Sequence, residues 1–271
     1  METGQVVVSA ATYEGSLIGL SGKSASDVVA EDGQGLVQEF AFAASDASLS
    51  CMASEGNLMA VAGSEEVIKM FNLKSKVSCG ELSGDCHRST ITSLAISKQC
   101  NHLLSGDERG VIGIWRIKDQ ELLHKLEIKN RSKVVSLSMH DSGRMLLALY
   151  ANGVLRLWNM LDARCLFKKK VGMSAQNVES EDDEADVKDA NEEEKEDISR
   201  TKKLETEKFR QEYRMFDRQR AEKVMWEPTQ GKHYAVLFSH ILEVFTVECD
   251  EPIHSITFDT NQTSFTYVGR L

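Results

Sequence analysis

Apolar and polar residues alternate along much of this chain, and the alternation returns at a fixed interval. Four short segments share one pattern: VIKMF (67–71), VIGIW (111–115), VLRLW (154–158) and ILEVF (241–245). Each alternates as a half-buried strand does and ends on an aromatic. Phe71 and Trp115 are 44 positions apart, Trp115 and Trp158 are 43, and Trp158 and Phe245 are 87, about two intervals. A second series keeps the same phase: LSCMAS (49–54), TSLAIS (92–97) and VSLSMH (135–140) are spaced by 43. Each leads through a polar turn into another apolar strand, NLMAVAGS (57–64), NHLLSGDE (101–108) or GRMLLALY (143–150). A tight turn then opens the aromatic strand, and an outer strand follows it, as in VSCGEL (77–82) and ELLHKLEI (121–128).

Four strands in about 43 residues make the blade of a β-propeller, so the predicted class is all-β. One blade is too thin to bury both its faces, and stacking neighbours supplies the missing surface. A β-sandwich with chance similarity would not hold one spacing in two independent series. Phe71, Trp115, Trp158 and Phe245 are therefore the expected structural anchors of four blades.

The interval breaks once. Between Trp158 and Phe245 the chain carries 44 residues more than one repeat needs, and aligning Gly231 with Gly143 places them between about Ser174 and Gln219. Residues 174–199 are acidic and poor in large apolar side chains, so they are expected to be disordered. Residues 200–222 hold good helix formers, no Gly or Pro, and Phe209, Tyr213 and Phe216 on one helical face. They predict a charged helix, either solvated or docked on a partner. The reading divides the chain into propeller (1–173), acidic insert (174–199), helix (200–222) and continued propeller (223–271).

At the ends, QVVVSAATYEGSLIGLSG (5–22) reads as a hairpin that completes a last blade, and LVQEFAFAAS (36–45) as the entry to the first whole blade. IHSITFDTNQTSFTYVGRL (253–271) reads as the first two strands of a fifth. The count is about four whole blades plus a partial blade at each end, an incomplete propeller. Seven blades and the insert would need roughly 345 residues. The expectation is a shortened product of a longer chain, or closure of the gap by a partner.

The chain resembles the WD40-repeat family at Ile114-Trp115-Arg116 and Leu157-Trp158-Asn159, where that family places its Trp-Asp pair. The Asp is absent from both. His87 stands where the family's Gly-His would be, without the Gly, and Asp107 is a candidate for the turn Asp that such a His reaches through a Ser or Thr. These departures mark the blades as degenerate and weaken the expectation of the family's full hydrogen-bonded network. Closer still is the resemblance to the PAK-interacting, MAK-type WD-repeat proteins. GSEEVIKMFNLKSKVSCGEL (63–82) with HRSTITSLAIS (87–97) is similar to that family's first blade junction. GRMLLALYANGVLRLWNMLDARCLFKKK (143–170) is similar to its third blade, ATYEGSLIGLSG (11–22) to its opening hairpin and RAEKVMWEPTQGKHYAVLFSHILEVFTV (220–247) to its fourth blade. The resemblance implies a non-catalytic scaffold of the nucleus and nucleolus, acting in assembly of the large (60S) ribosomal subunit and in rRNA maturation. Its implied partners are ribosome assembly factors and the pre-60S particle, with rRNA a further candidate. The alternative it implies is an adaptor that binds and restrains a p21-activated-type protein kinase.

Charge and chemistry add detail. The net charge of −10 equals that of the stretch from Val178 to Ser199, where twelve carboxylates face only Lys188 and Lys195. The acidity is thus local and leaves room for RNA contact elsewhere. Lys168, Lys169 and Lys170 form the densest basic step, beside Arg200, Lys202 and Lys203 of the expected helix. These six are candidate contacts for RNA phosphates or a partner, the alternative being a solvated blade end. The six cysteines form no CxxC pair, no basic-then-apolar leader opens the chain, and no apolar run approaches 18 residues. Free thiols and no membrane partner follow. Cys79, Cys86 and His87 lack zinc-ligand spacing, and Gly106–Gly110 lacks phosphate-loop spacing. No cofactor, metal or catalytic residue is expected.

Overall fold

Short alternating strands broken by Gly, Asp and Asn turns can satisfy their backbone only through neighbouring strands. A computed structural model of the chain, describing residues 6–22, 36–171, 221–228, 231–249, 251–260 and 262–265, has that arrangement. Its described residues form nineteen strands and no helix. The strands make five antiparallel sheets, each a meander. The first sheet holds β1 (Val6–Ala11), β2 (Ser16–Gly22) and β3 (Leu36–Ala43). The second holds β4 (Leu49–Glu55), β5 (Leu58–Gly63), β6 (Ile68–Asn72) and β7 (Val77–Leu82). The third holds β8 (Ile91–Ile96), β9 (His102–Asp107), β10 (Ile112–Arg116) and β11 (Glu121–Leu126). The fourth holds β12 (Val134–Met139), β13 (Met145–Tyr150), β14 (Val154–Asn159) and β15 (Arg164–Lys170). The fifth holds β16 (Ala221–Trp226), β17 (His233–Phe238), β18 (Ile241–Thr246) and β19 (His254–Thr257).

The four-stranded sheets have the form of propeller blades, and they match residue by residue. Leu49 pairs with Gly63, Ile91 with Asp107, Val134 with Tyr150 and Ala221 with Phe238, each just before a bulge. The aromatics Phe71, Trp115, Trp158 and Phe245 pair with Met59, Leu103, Leu146 and Tyr234, the same position in each blade. In three blades a second bulge falls immediately before the aromatic and re-aims it. All four aromatics are buried.

Innermost strands of successive blades lie side by side: β4 with β8, β8 with β12 and β12 with β16. Hydroxyls stitch them together. The Leu137 N–H donates to Ser93 Oγ at 3.0 Å, Val224 N–H to Ser136 Oγ at 3.2 Å and Trp226 N–H to Ser138 Oγ at 2.9 Å. Four apolar clusters fill the spaces between adjacent sheets; one joins Leu104, Ile112 and Ile114 to Leu146, Ala148 and Tyr150. Each fully buried Leu or Ile stabilises by roughly 1.5–3 kcal/mol. An exposed ion pair such as Lys76–Glu39 contributes at most about 1 kcal/mol. Burial between sheets therefore dominates over the rim pairs.

Three boundaries differ from the sequence reading. β3 does not enter the first whole blade but closes the first sheet against β2. The turn bonds give the reason. Gly15 N–H donates to the Thr12 carbonyl as Gly110 does to Asp107 and Gly153 to Tyr150, and Ala44 N–H reaches the Gly15 carbonyl as Val171 reaches Gly153. The three glycines share φ values of 79°, 80° and 74°. The first sheet thus matches strands two to four of a full blade. At the other end, His254–Thr257 pairs with β18 as an outer fourth strand rather than opening a new blade. Finally, Ala221 and Glu222 belong to β16, not to a helix, because Ala221 takes the buried register position of Ile91 and Val134. The acidic insert, and the rest of the expected helix, lie outside the described residues.

Candidate functional site

Within the third sheet, the third blade when the three-stranded first sheet is counted, four polar side chains meet in the interior. His87 precedes β8, Ser105 and Asp107 lie on β9, and Trp115 lies on β10. His87 Nδ1 is 3.0 Å from Asp107 Oδ2, and its Nε2 is 2.6 Å from Ser105 Oγ. With Nδ1 donating to the carboxylate, Nε2 accepts from the serine hydroxyl, and Ser105 Oγ in turn accepts from Trp115 Nε1 at 2.8 Å. Asp107 Oδ1 accepts from the N–H groups of Arg109 at 2.9 Å and Val111 at 2.8 Å, which shapes the turn into β10. Every polar atom has a partner, as so dry a site requires.

Backbone choices make room for this network. A Cβ on Gly113 would stand 2.6 Å from Trp115 Nε1 and 2.9 Å from Ser105 Oγ. Lys69 and Arg156 occupy that position in the second and fourth blades, facing Val61 and Ala148 instead of a serine. The network for which the sequence offered His87 and Asp107 is therefore present in one blade, without the flanking Gly and Asp. His87, Ser105 and Asp107 repeat the order of a Ser-His-Asp triad, but all three are buried, with Ser105 and Asp107 at 0% exposure. No substrate reaches such a serine, and the Trp115 N–H already occupies its oxygen; the arrangement locks a blade rather than activating a nucleophile.

A second constellation lies where the innermost strands end. A cavity of about 270 Å³ is lined by turns from four blades, including Glu55, Lys98, His140, Asp141 and Pro228. Lys98 Nζ pairs with Asp141 and donates to the Pro228 carbonyl at 3.1 Å. His140 Nδ1 accepts from Ser142 N–H at 3.0 Å, so its Nε2 donates to the Gly231 carbonyl at 3.1 Å. Its ring stands edge-on to Trp226, with centroids 5.0 Å apart. The cavity joins the blades where their inner ends converge and offers polar groups from four of them to a protruding side chain.

The basic step predicted at Lys168, Lys169 and Lys170 falls on the outer strand β15. Strand alternation sends Lys169 to the opposite side from its two neighbours. Lys169 reaches the fifth sheet, donating to the Cys249 carbonyl at 3.4 Å and lying 4.1 Å from the Phe245 ring centroid. It also faces Glu243, whose carboxyl is pushed up by burial and held back by this lysine. The three lysines are not presented as one patch. Arg200, Lys202 and Lys203 lie outside the described residues.

Comparison with known proteins agrees with the blade geometry. The WD domain, G-beta repeat family matches residues 78–116, which run from β7 through the network to β10. A p21-activated protein kinase-interacting protein 1-like protein of Xenopus laevis is 35% identical over 105 residues, 39% of this chain and 28% of that relative. The Gallus gallus protein of the same name is 36% identical over 105 residues, 39% of the chain and 27% of its own length. That of Danio rerio is 28% identical over 139 residues, 51% of the chain and 37% of its length. The matches thus span about a third of those relatives. The resemblance to the PAK-interacting, MAK-type WD-repeat proteins rests on both findings.

Proposed function

A WD-repeat scaffold related to these proteins is the premise from which we propose a non-catalytic role in assembly of the large ribosomal subunit, exercised in the nucleolus. The carrying observation for a scaffold is the use of the buried Asp107–His87–Ser105–Trp115 set as a structural lock, which leaves the loops at both ends of the blades for docking. The ribosomal assignment is supported by the resemblance to the MAK-type proteins. Its partners would be assembly factors and the pre-60S particle. Sedimentation of the tagged protein through a gradient tests this: it is expected in pre-60S fractions, together with nucleolar fluorescence. Free sedimentation in nucleolus-bearing cells counts against it.

A second reading is favoured by the relatives' names: an adaptor that binds a p21-activated protein kinase and restrains it. Co-purification with such a kinase, with reduced kinase activity and no pre-60S association, would select this reading over the first.

A further inference from the structure

We propose that the third blade carries a phosphate-recognition pocket for a phosphoserine or phosphothreonine side chain of a protein partner. The pocket, of about 300 Å³, lies at the end of the blade where β9 turns into β10 and where the chain enters β8 and leaves β11. Arg88, Arg109, Arg131 and Lys125 line it. Among the described residues the three arginines form no ion pair, whereas Lys125 is held by Glu127 at 2.8 Å and by the Asp85 carbonyl at 3.4 Å. Two carboxylates share the lining. Asp107 is engaged by His87 and two backbone N–H groups, and Glu127 by Lys125, with a weaker charge attraction to Arg131. The three guanidinium groups, none of them within ion-pair distance of a carboxylate among the described residues, are thus the cations available to a ligand.

The buried network fixes two of these arginines. Arg88 directly follows His87, and the Arg109 N–H donates to Asp107 Oδ1, so both backbones hang on the locked set. Arg131 is presented by a turn closed by its own N–H on the Ile128 carbonyl at 3.2 Å. The turn that carries Arg109 reads Ser64-Glu65-Glu66 in the second blade and Ala151-Asn152-Gly153 in the fourth, so among those three only this blade has an arginine there, while Arg131 is the counterpart of Arg88 at the entry to β12.

The chemistry selects the ligand. Planar guanidinium forks suit the oxygens of a phosphoryl group, and three of them suit a dianionic monoester better than a singly charged diester. The lining holds no aromatic on which a base could stack, its apolar members being Cys86, Val111 and Ile128. A short phosphorylated side chain fits these features better than RNA does. This inference is independent of whether the partner is a ribosome factor or a kinase.

An immobilised degenerate phosphoserine peptide pool, its unphosphorylated counterpart and a poly-U oligonucleotide test it with the full chain. The phosphorylated pool is expected to retain the protein. R88Q, R109Q and R131Q should each weaken retention roughly tenfold or more, K74Q in the exposed turn between β6 and β7 should not, and Arg→Lys variants should lose part. Circular dichroism of each variant checks that the blade is intact, and inorganic phosphate should shift the arginine side-chain resonances of the wild type. Equal retention on the unphosphorylated pool overturns the proposal, as does retention that survives the triple R88Q/R109Q/R131Q variant. Preferential binding of poly-U, lost in the same variants, would overturn it in favour of nucleic acid. None of these outcomes bears on the sedimentation test.

Discussion

The third and fourth blades have the same strand order, the same bulges and the same pairing register, yet they treat the indole of their tryptophan differently. In the third, Ser105 and Gly113 are small, His87 enters, and the Trp115 N–H is bonded through serine and histidine to Asp107. In the fourth, Ala148 replaces the serine, Arg156 the glycine and Tyr150 the aspartate. There the Trp158 Nε1 and Tyr150 oxygen are buried without a hydrogen-bond partner. The two groups face each other without meeting in hydrogen-bonding geometry, and burial pushes the tyrosine hydroxyl far up. One backbone therefore tolerates a polar lock or an apolar filling. Apolar packing suffices to form a blade, while the polar lock fixes the loops, which is why the pocket residues hang on the third blade.

The largest effect is expected from breaking the lock. Asp107→Ala leaves His87 and two N–H groups unpaired in a dry site and should cost about 3–5 kcal/mol in urea unfolding. A loss below about 1 kcal/mol would mean that the network is ornamental. The same variant should expose Cys86, whose thiol is buried and pushed up to about 12 mainly by burial. Iodoacetamide at pH 8 should then label it faster than in the wild type.

Next come the glycines. Gly113→Ala should cost about 1–3 kcal/mol through overpacking, whereas Lys69→Ala at the matching position of the second blade should cost under about 1 kcal/mol. Gly231, at φ 63°, faces the His140 ring, and an added Cβ would lie 2.0 Å from Nε2. Gly231→Ala should therefore destabilise by about 1–3 kcal/mol and disturb the junction of the fourth and fifth blades, visible in the Trp226 fluorescence. The smallest effect is expected from Ala148→Ser. It offers the Trp158 N–H an acceptor but brings no histidine, so stability should change by under about 1 kcal/mol.

The repeat was legible in the sequence because buried strands write their period into it. The 43–44 spacing and the pairing of Gly143 with Gly231 located the blades and their turns. Outer strands leave no such trace. β19 is exposed along its length, so His254–Thr257 carries no alternation to mark it as the closing strand of its blade. β3 reads from sequence as the entry to the blade that follows it directly, and only the Gly15 turn reveals its place. The polar lock was half legible: His87 and Asp107 stood at the right positions, but only the fold identifies Ser105 as the hydroxyl between them and Gly113 as the space that keeps the Trp115 N–H within its reach. The arginine pocket was invisible because Arg88, Arg109 and Arg131 come together only through the turns of a folded blade.

The most direct test follows the indole protons by NMR in the wild type and in Ser105→Ala. The account expects the Trp115 Nε1 proton to move upfield and exchange at least roughly tenfold faster in the variant, with the Trp158 proton unmoved. A Trp115 proton that keeps its shift and its protection without Ser105 would contradict it.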